Sequence, residues 1–179
     1  MNQYPTNAIL KWPTLPFVAA IAVAIVGWPW AAPTASIVPV KVAFFGFELV
    51  NTSLEQTNDD ERRRIVMTGE QLVQLLQASE RYQVVLLSND LKKKITASAD
   101  ISGCNGCQLS WAREAGADLA AWGTVQKVSN LILNMNVYMN YAQDGRPYFS
   151  HSVDIRGNTD ESWRRGMSYL LRHYLFDGN

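Results

Sequence analysis

The sequence has few of the residues from which catalytic and metal sites are built. It contains two cysteines and two histidines in 179 residues. A zinc site would have to use His151 and His173, because there is no second cysteine pair. There is no phosphate-binding glycine loop, and no serine, histidine and acid stand in a catalytic order. The sequence therefore favours a non-catalytic domain without a cofactor.

Charge is also scarce. Lys and Arg number 16, and Asp and Glu number 16, so the formal net charge is zero and only 18% of residues are charged. The basic triplets, Arg62–Arg64 and Lys92–Lys94, are typical of solvated helix faces. Nothing in this balance favours a nucleic-acid partner. The hydrophobic fraction of 47% is ample for the core of one domain.

The N-terminal residues have a pattern of their own. Lys11 is the only charged residue before Lys41, and the apolar segment 17–27 is followed by small residues and helix breakers in 28–36. This order is typical of a secretory signal peptide. The apolar segment is shorter than the roughly 20 residues that a membrane span needs.

We therefore expect residues 1–36 to be a signal peptide, with Ala35 or Ser36 as the last residue before cleavage. Residues 37–179 would form a single α/β domain in the periplasm. An uncleaved anchor is the alternative, and contact with the membrane would then be limited to this segment.

The domain is predicted to begin with a buried strand. Residues 40–50 are apolar on both faces, which is typical of a strand covered by helices on both sides. A helix over 61–79 and a strand over 82–87 would complete a right-handed parallel crossover. Further predicted elements are helices at 90–96 and 107–116 and a strand at 117–127.

The clearest periodicity lies in residues 130–141, where apolar residues alternate with asparagines. This period of two predicts a strand with one solvated face. A three-residue loop with Gly145 in the left-handed region would place Met139 opposite Phe149 and Leu133 opposite Ile155, which keeps one apolar face. His151 would then lie on that face.

The last predicted element is a helix with Asn158 as its N-cap and Glu161 in the capping-box position. It would end near Phe176, with His173 close to its C-terminus. The stripe directed at the sheet would consist of Trp163, Met167, Leu170, Leu171 and Tyr174. The predicted fold is thus an α/β sandwich of two or three layers. Its mixed sheet of about five strands has a parallel start, and an antiparallel hairpin and a helix follow at the C-terminus.

Cys104 and Cys107 are separated by two residues. In an exported protein, such a pair normally oxidises to a structural disulfide. Thiol–disulfide exchange, with Cys104 as the reactive thiolate at a helix start, is one alternative. A metal or haem site is a weaker alternative, because Gln108 stands where haem attachment would require histidine.

Two polar clusters follow predicted strands, and ligands of α/β sheets gather at such strand ends. The candidate binding residues are Glu48, Asn51, Thr52 and Ser53 after the first strand, and Arg156, Asn158 and Asp160 after the last one. The clusters would meet if the last strand lay beside the first and ran parallel to it. Arg156 would then pair with Glu48, bind an anion, or form a structural tether with an acidic neighbour.

Several segments resemble a family of small exported proteobacterial proteins of unknown function. The matching segments are 42–53, 79–85, 104–107, 116–134 and 152–165. The opening strand and helix are also similar to the N-terminal domain of the translocation protein TolB. The resemblance implies a periplasmic domain without established catalytic activity that binds a protein partner.

Together, these patterns predict a non-catalytic periplasmic domain that binds a protein partner in the assembly of the envelope or of an exported enzyme. One alternative is a site for a small anionic ligand that uses Arg156, Asn158 and Ser53. The other is thiol–disulfide exchange through Cys104 and Cys107.

Overall fold

The computed structural model describes residues 38–98 and 101–177, which contain five strands and four α-helices. The strands are β1 (Val40–Asn51), β2 (Tyr82–Val84), β3 (Leu119–Lys127), β4 (Ile132–Tyr141) and β5 (Pro147–Arg156). The helices are α1 (Asp59–Ala78), α2 (Asn89–Ala97), α3 (Cys107–Glu114) and α4 (Asp160–Leu170). The predicted signal peptide lies outside the described residues. Among the described helices, none has both the length and the apolar character that crossing a membrane requires.

The five strands form one mixed sheet in the order β2-β1-β3-β4-β5. β1 runs parallel to both of its neighbours, and β4 and β5 add in antiparallel fashion. The predicted mixed sheet with a parallel start is confirmed. β2 is shorter than the predicted 82–87, because the chain leaves the sheet after Val85 donates to the Val42 carbonyl and then enters α2, whose N-cap is Ser88.

Helices cover both faces of the sheet, which makes three layers. α1 and α4 pack on one face over the larger core, and α2 and α3 pack on the other over a smaller core. β1 contributes Val42 and Phe47 to the first core and Ala43 and Phe45 to the second. This double burial explains why the sequence of β1 lacks a polar face.

Two glycines permit close packing around β1. A Cβ at Gly69 of α1 would lie 3.1 Å from Phe44 Cε1, so glycine brings the helix close to the sheet. A Cβ at Gly123 of β3 would collide with the ring of Phe47. That ring is set by a register shift between Phe44 and Phe47, where Gly46 has a φ of +109°.

The predicted register of the hairpin is confirmed, because Met139 lies opposite Phe149 and Leu133 lies opposite Ile155. Gly145 is left-handed, with a φ of +74°. The predicted loop length is wrong by one residue. The Tyr141 N–H donates to the Arg146 carbonyl, which leaves a four-residue loop, and an irregularity between Met139 and Asn140 compensates for the added residue.

The predicted cap of the last helix is also wrong. Thr159 is the N-cap of α4 and forms the capping box with Ser162. Asn158 precedes the helix, and its side chain accepts a hydrogen bond from Trp163 Nε1 at 2.9 Å. The Asn158 side chain therefore makes tertiary contacts and does not cap α4.

After α4 the chain continues in a wider π-helical turn, Leu171–Phe176. The buried stripe confirms the predicted Trp163, Met167, Leu170 and Leu171 but ends with Leu175 instead of Tyr174. The π turn has more residues per turn than an α-helix, and this shifts which side chain faces the sheet.

Candidate functional site at the carboxyl edge of the sheet

The carboxyl ends of β1, β3 and β5 lie at one edge of the sheet. Asn51 pairs with Lys127, Lys127 lies opposite Leu133, and Leu133 lies opposite Ile155. Both predicted polar clusters are therefore at the same edge. β5 runs in the same direction as β1 but not beside it, because β3 and β4 lie between them. The adjacency of the first and last strands, which was the condition for the clusters to meet, is not fulfilled.

A buried ion pair, which no sequence pattern indicated, occupies the centre of this edge. Lys127 Nζ lies 2.7 Å from Glu61 Oε1, and neither side chain is accessible to solvent. A second carboxylate, that of Glu55, lies 3.0 Å from the same Nζ and is more than half exposed. One lysine thus neutralises one of two carboxylates, and the group keeps one net negative charge.

The hydrogen-bond partners of the Glu61 carboxylate come from different elements of the fold. Glu61 is the third residue of α1, and it forms a capping box with Asn58 in which each backbone N–H bonds the other side chain at about 3 Å. Asn158 Nδ2 donates to Glu61 Oε1 at 2.7 Å. The carboxylate therefore joins the starts of α1 and α4 to the end of β3.

These contacts decide the protonation of the pair. Burial alone would raise the pKa of Glu61, but hydrogen bonds from Lys127, the Asn58 backbone and Asn158 outweigh it and lower this pKa. The hydrogen bond to Glu61 raises the pKa of Lys127 against the opposite effect of burial, and Glu55 adds to the increase. Both groups are therefore charged at neutral pH, and the pair is a buried salt bridge between a carboxylate and an ammonium group.

The Glu55 side chain ties together two loops at this edge. It accepts hydrogen bonds from Lys127 Nζ and from Asn130 Nδ2, and Asn130 lies in the β3–β4 turn. The β1–α1 loop is held from within, because Asn51 Nδ2 donates to the Glu55 carbonyl at 2.7 Å and Ser53 Oγ donates to Asn51 Oδ1 at 2.7 Å. The two loops form one braced unit.

Large apolar side chains project into solvent around this braced unit. We call them the apolar rim, and its members are Val50, Leu54, Val128, Leu131 and Ile132. Leu54 is fully exposed and Leu131 is 74% exposed. Leu54 precedes Glu55 and Leu131 follows Asn130 in the sequence, and Asn130 donates a hydrogen bond to Glu55. The polar network therefore orders the loops from which these two exposed leucines project.

Five of the predicted binding residues belong to this edge. Asn51, Ser53 and Asn158 join the network described above, and Thr52 Oγ1 donates to the Lys127 carbonyl at 3.0 Å. The fifth, Asp160, binds both Arg63 Nη1 and Arg64 Nε at 2.8 Å. All five side chains have bonding partners within the protein, so the arrangement is a brace and not an open polar pocket.

The structure does not bring the other two predicted binding residues to the network. The Glu48 carboxylate accepts the backbone N–H of Ile101, and Glu48 is not paired with Arg156. Arg156 lines a groove of about 560 Å³ between β5 and α4, together with Arg165, Asp154 and Glu161. Two cations face two carboxylates there, so the groove offers no net charge for an anion.

Cys104 and Cys107 form a disulfide with their Cα atoms 5.6 Å apart. The bridge closes the turn just before α3, where Asn105 and Gly106 both have positive φ. Both cysteines pack beside the smaller core. Within residues 38–98 and 101–177, no group of three or more His, Cys, Asp or Glu side chains is arranged to hold a metal ion.

A family model, DUF3280, described as "Protein of unknown function (DUF2380)", matches residues 40–175. Among proteins with curated descriptions, none matches the sequence. The expected membership of a family of unknown function is confirmed, whereas export of the protein and its proteobacterial origin stay predictions.

Several solved structures match this chain at low sequence identity, and those of LpoB and GNA1162 share its fold. The LpoB C-terminal domain from Salmonella enterica is 14% identical with a TM-score of 0.51, and the match covers 69% of this chain and 87% of that one. Lipoprotein GNA1162 from Neisseria meningitidis is 11% identical with a TM-score of 0.50, covering 76% and 99%. TolB from Acinetobacter baumannii is 14% identical with a TM-score of 0.45, covering 78% and 29%. At these identities the similarity concerns the fold alone.

Proposed function

The chain belongs to this family of proteins of unknown function, and we propose that it is a non-catalytic periplasmic domain whose apolar rim binds a protein partner. The partner would take part in the assembly of the envelope or of an exported enzyme. The observation that carries this proposal is the position of Leu54 and Leu131, two exposed leucines on loops tied by Glu55.

Exposed apolar residues are ordinary when they are scattered, but a group of them in one region marks an interaction surface. The rim has five such residues at one edge of the sheet. Because their loops are already ordered, binding would cost little conformational entropy, and this favours affinity. Val128 and Ile132 are joined by a backbone hydrogen bond of 3.1 Å, so the β3–β4 turn is ordered as well.

Three features support an extracytoplasmic location. Residues 1–36 have the pattern of a signal peptide, which would leave 37–179 as the mature domain. The disulfide of Cys104 and Cys107 suits an oxidising compartment. A protein of similar fold, GNA1162, is a lipoprotein by its description.

The proposal is tested by retrieval of a partner from periplasmic extract of the native host. The tagged exported protein and the double variant Leu54→Asp/Leu131→Asp are compared with Val66→Asp, which changes an exposed apolar residue of α1 outside the rim. We expect the wild type and Val66→Asp to retrieve one stoichiometric partner. The double variant should bind this partner at least tenfold more weakly, because the loss of two interface leucines costs more than about 1.4 kcal/mol of binding free energy.

The opposite result would point to another surface. If the double variant kept its partner while Val66→Asp lost it, binding would involve the groove between α1 and β1, which Val66 lines. The Tm of every variant should be close to that of the wild type, because the exchanged side chains are exposed. Measuring thermal unfolding therefore excludes a general loss of folding.

A further inference from the structure

The outer side of α4 and of the π turn after it carries a concentration of positive charge. We call it the basic face, and it consists of Arg164, Arg165, Ser168, Tyr169, Arg172 and His173, which line one shallow depression. The residues fall on two adjacent ridges with helical spacing, one through Ser168 and one through Tyr169. The whole chain has a formal net charge of zero, so this excess is local.

Few carboxylates offset this charge. Glu161 binds Arg165 Nη2 at 2.6 Å. Among the described residues, no carboxylate lies within ion-pair distance of Arg164 or Arg172. The acidic residue next along the chain is Asp177, beyond the π turn. The basic face therefore keeps unpaired arginines.

Packing fixes the direction of this face. Trp163, Met167 and Leu170 on the opposite side of α4 are completely buried against the sheet, so the arginines must point to solvent. Gln71 of α1 donates to the Arg164 carbonyl and to Ser168 Oγ, both at 3.0 Å, which ties the helix to its neighbour. The basic face is therefore fixed relative to α1 and open to solvent.

We propose that the basic face binds the surface of an anionic phospholipid bilayer. Exposed guanidinium groups along one side of a helix suit a layer of phosphates, and each basic residue near such a surface adds measurable attraction. Tyr169 is 47% exposed between the arginines, and a ring with an apolar body and a polar tip suits the headgroup region.

This contact would extend the predicted membrane contact beyond the N-terminal segment, and it is independent of the rim. α4 begins at the carboxyl edge, where Asp160 is held by Arg63 and Arg64. The arginines of the basic face follow along the helix, so the rim stays accessible when the basic face is covered.

The test is flotation of the full-length protein with vesicles that contain phosphatidylcholine alone or equal parts of phosphatidylglycerol and phosphatidylcholine. The neutral vesicles measure the contribution of the apolar N-terminal segment. In the variant Arg164→Ala/Arg172→Ala, the ratio of binding to anionic over neutral vesicles should decrease about 25-fold, which is about fivefold for each arginine. The matched control, Lys92→Ala/Lys93→Ala, removes the same charge from α2 and should retain the preference.

The preference should also decrease steeply with salt, since screening weakens exposed charges. Equal binding to both vesicles, or equal losses in the two double variants, would overturn the proposal. Displacement from vesicles by millimolar inorganic phosphate would assign the arginines to a free anion instead. Tighter, salt-sensitive binding to poly-glutamate than to anionic vesicles would assign them to an acidic protein, and either result would refute the bilayer.

Discussion

Replacement of Lys127 by methionine removes the cation from the buried pair but keeps most of the side-chain volume. It leaves Glu61 without its counter-charge in a position closed to solvent. Breaking a buried ion pair in this way costs about 3–5 kcal/mol. Because the pair lies under loops at the edge of the sheet, we expect the lower end, about 3 kcal/mol. For a domain of this size, that corresponds to a decrease in Tm of about 10 °C.

Urea unfolding of the variants Lys127→Met, Glu61→Gln and the double variant measures the coupling. The double variant should be more stable than the sum of the single losses predicts, since no unpaired charge stays buried. Lys93→Met is the control, because the Lys93 side chain is 81% exposed. A loss below about 0.5 kcal/mol for Lys127→Met, or strict additivity, would refute this reasoning.

The pH dependence has a definite sign. The pKa of Glu61 is lowered in the folded protein. The carboxylate therefore contributes to the free energy of unfolding above its ordinary pKa of about 4.3, and this contribution is lost as the pH falls through the folded pKa. The pKa of Lys127 is raised, so its contribution is present below about 10.4 and is lost as the pH rises through the folded value. The difference between wild type and Lys127→Met should be constant near neutrality and shrink in acid.

Four further outcomes follow from the packing, the disulfide and the charges. Gly123→Ala should destabilise the domain by about 2–3 kcal/mol in urea unfolding, because its Cβ would meet the Phe47 ring; a loss under about 0.5 kcal/mol would contradict this packing. Cys104→Ser/Cys107→Ser should cost at most about 2 kcal/mol, since the closed loop is short. The wild-type bridge should have a reduction potential below about −300 mV without thiol turnover, and turnover would instead favour thiol–disulfide exchange. Asp160→Asn should lower the Tm at pH 7, because Arg63 and then Arg64 lower the pKa of Asp160, and this difference should vanish in acid as the wild-type carboxyl is protonated; the exposed Asp59→Asn is the control.

The sequence was sufficient where the information is local. The register of Met139 against Phe149 follows from a period of two on both strands, because any slip by one residue would expose an apolar face. The left-handed Gly145 follows from the turn. The N-cap of α4 was mispredicted because Asn158 and Thr159 are both good caps, and contacts of Asn158 with Glu61 and Trp163 decide between them.

The brace could not be predicted because its partners are distant in sequence. Glu61 has the local pattern of an acidic residue in a first helical turn, and Lys127 that of a polar residue at the end of a strand. Their pairing requires the start of α1 to lie over the end of β3. The sequence shows only a lysine at the end of a mostly apolar strand, and the burial of this lysine becomes visible only with the fold. Likewise, Leu54 and Leu131 become unusual only once the fold leaves them exposed.

The interior position of β1, between β2 and β3, has a consequence for the order in which the chain can fold. Among the described strands β1 is synthesised first, yet the strands on its two sides begin only at Tyr82 and Leu119. Joining β1 to β3 closes a long loop, which makes this a slow, late step. A nascent chain that ends before Leu119 therefore exposes one side of β1 and both incomplete cores.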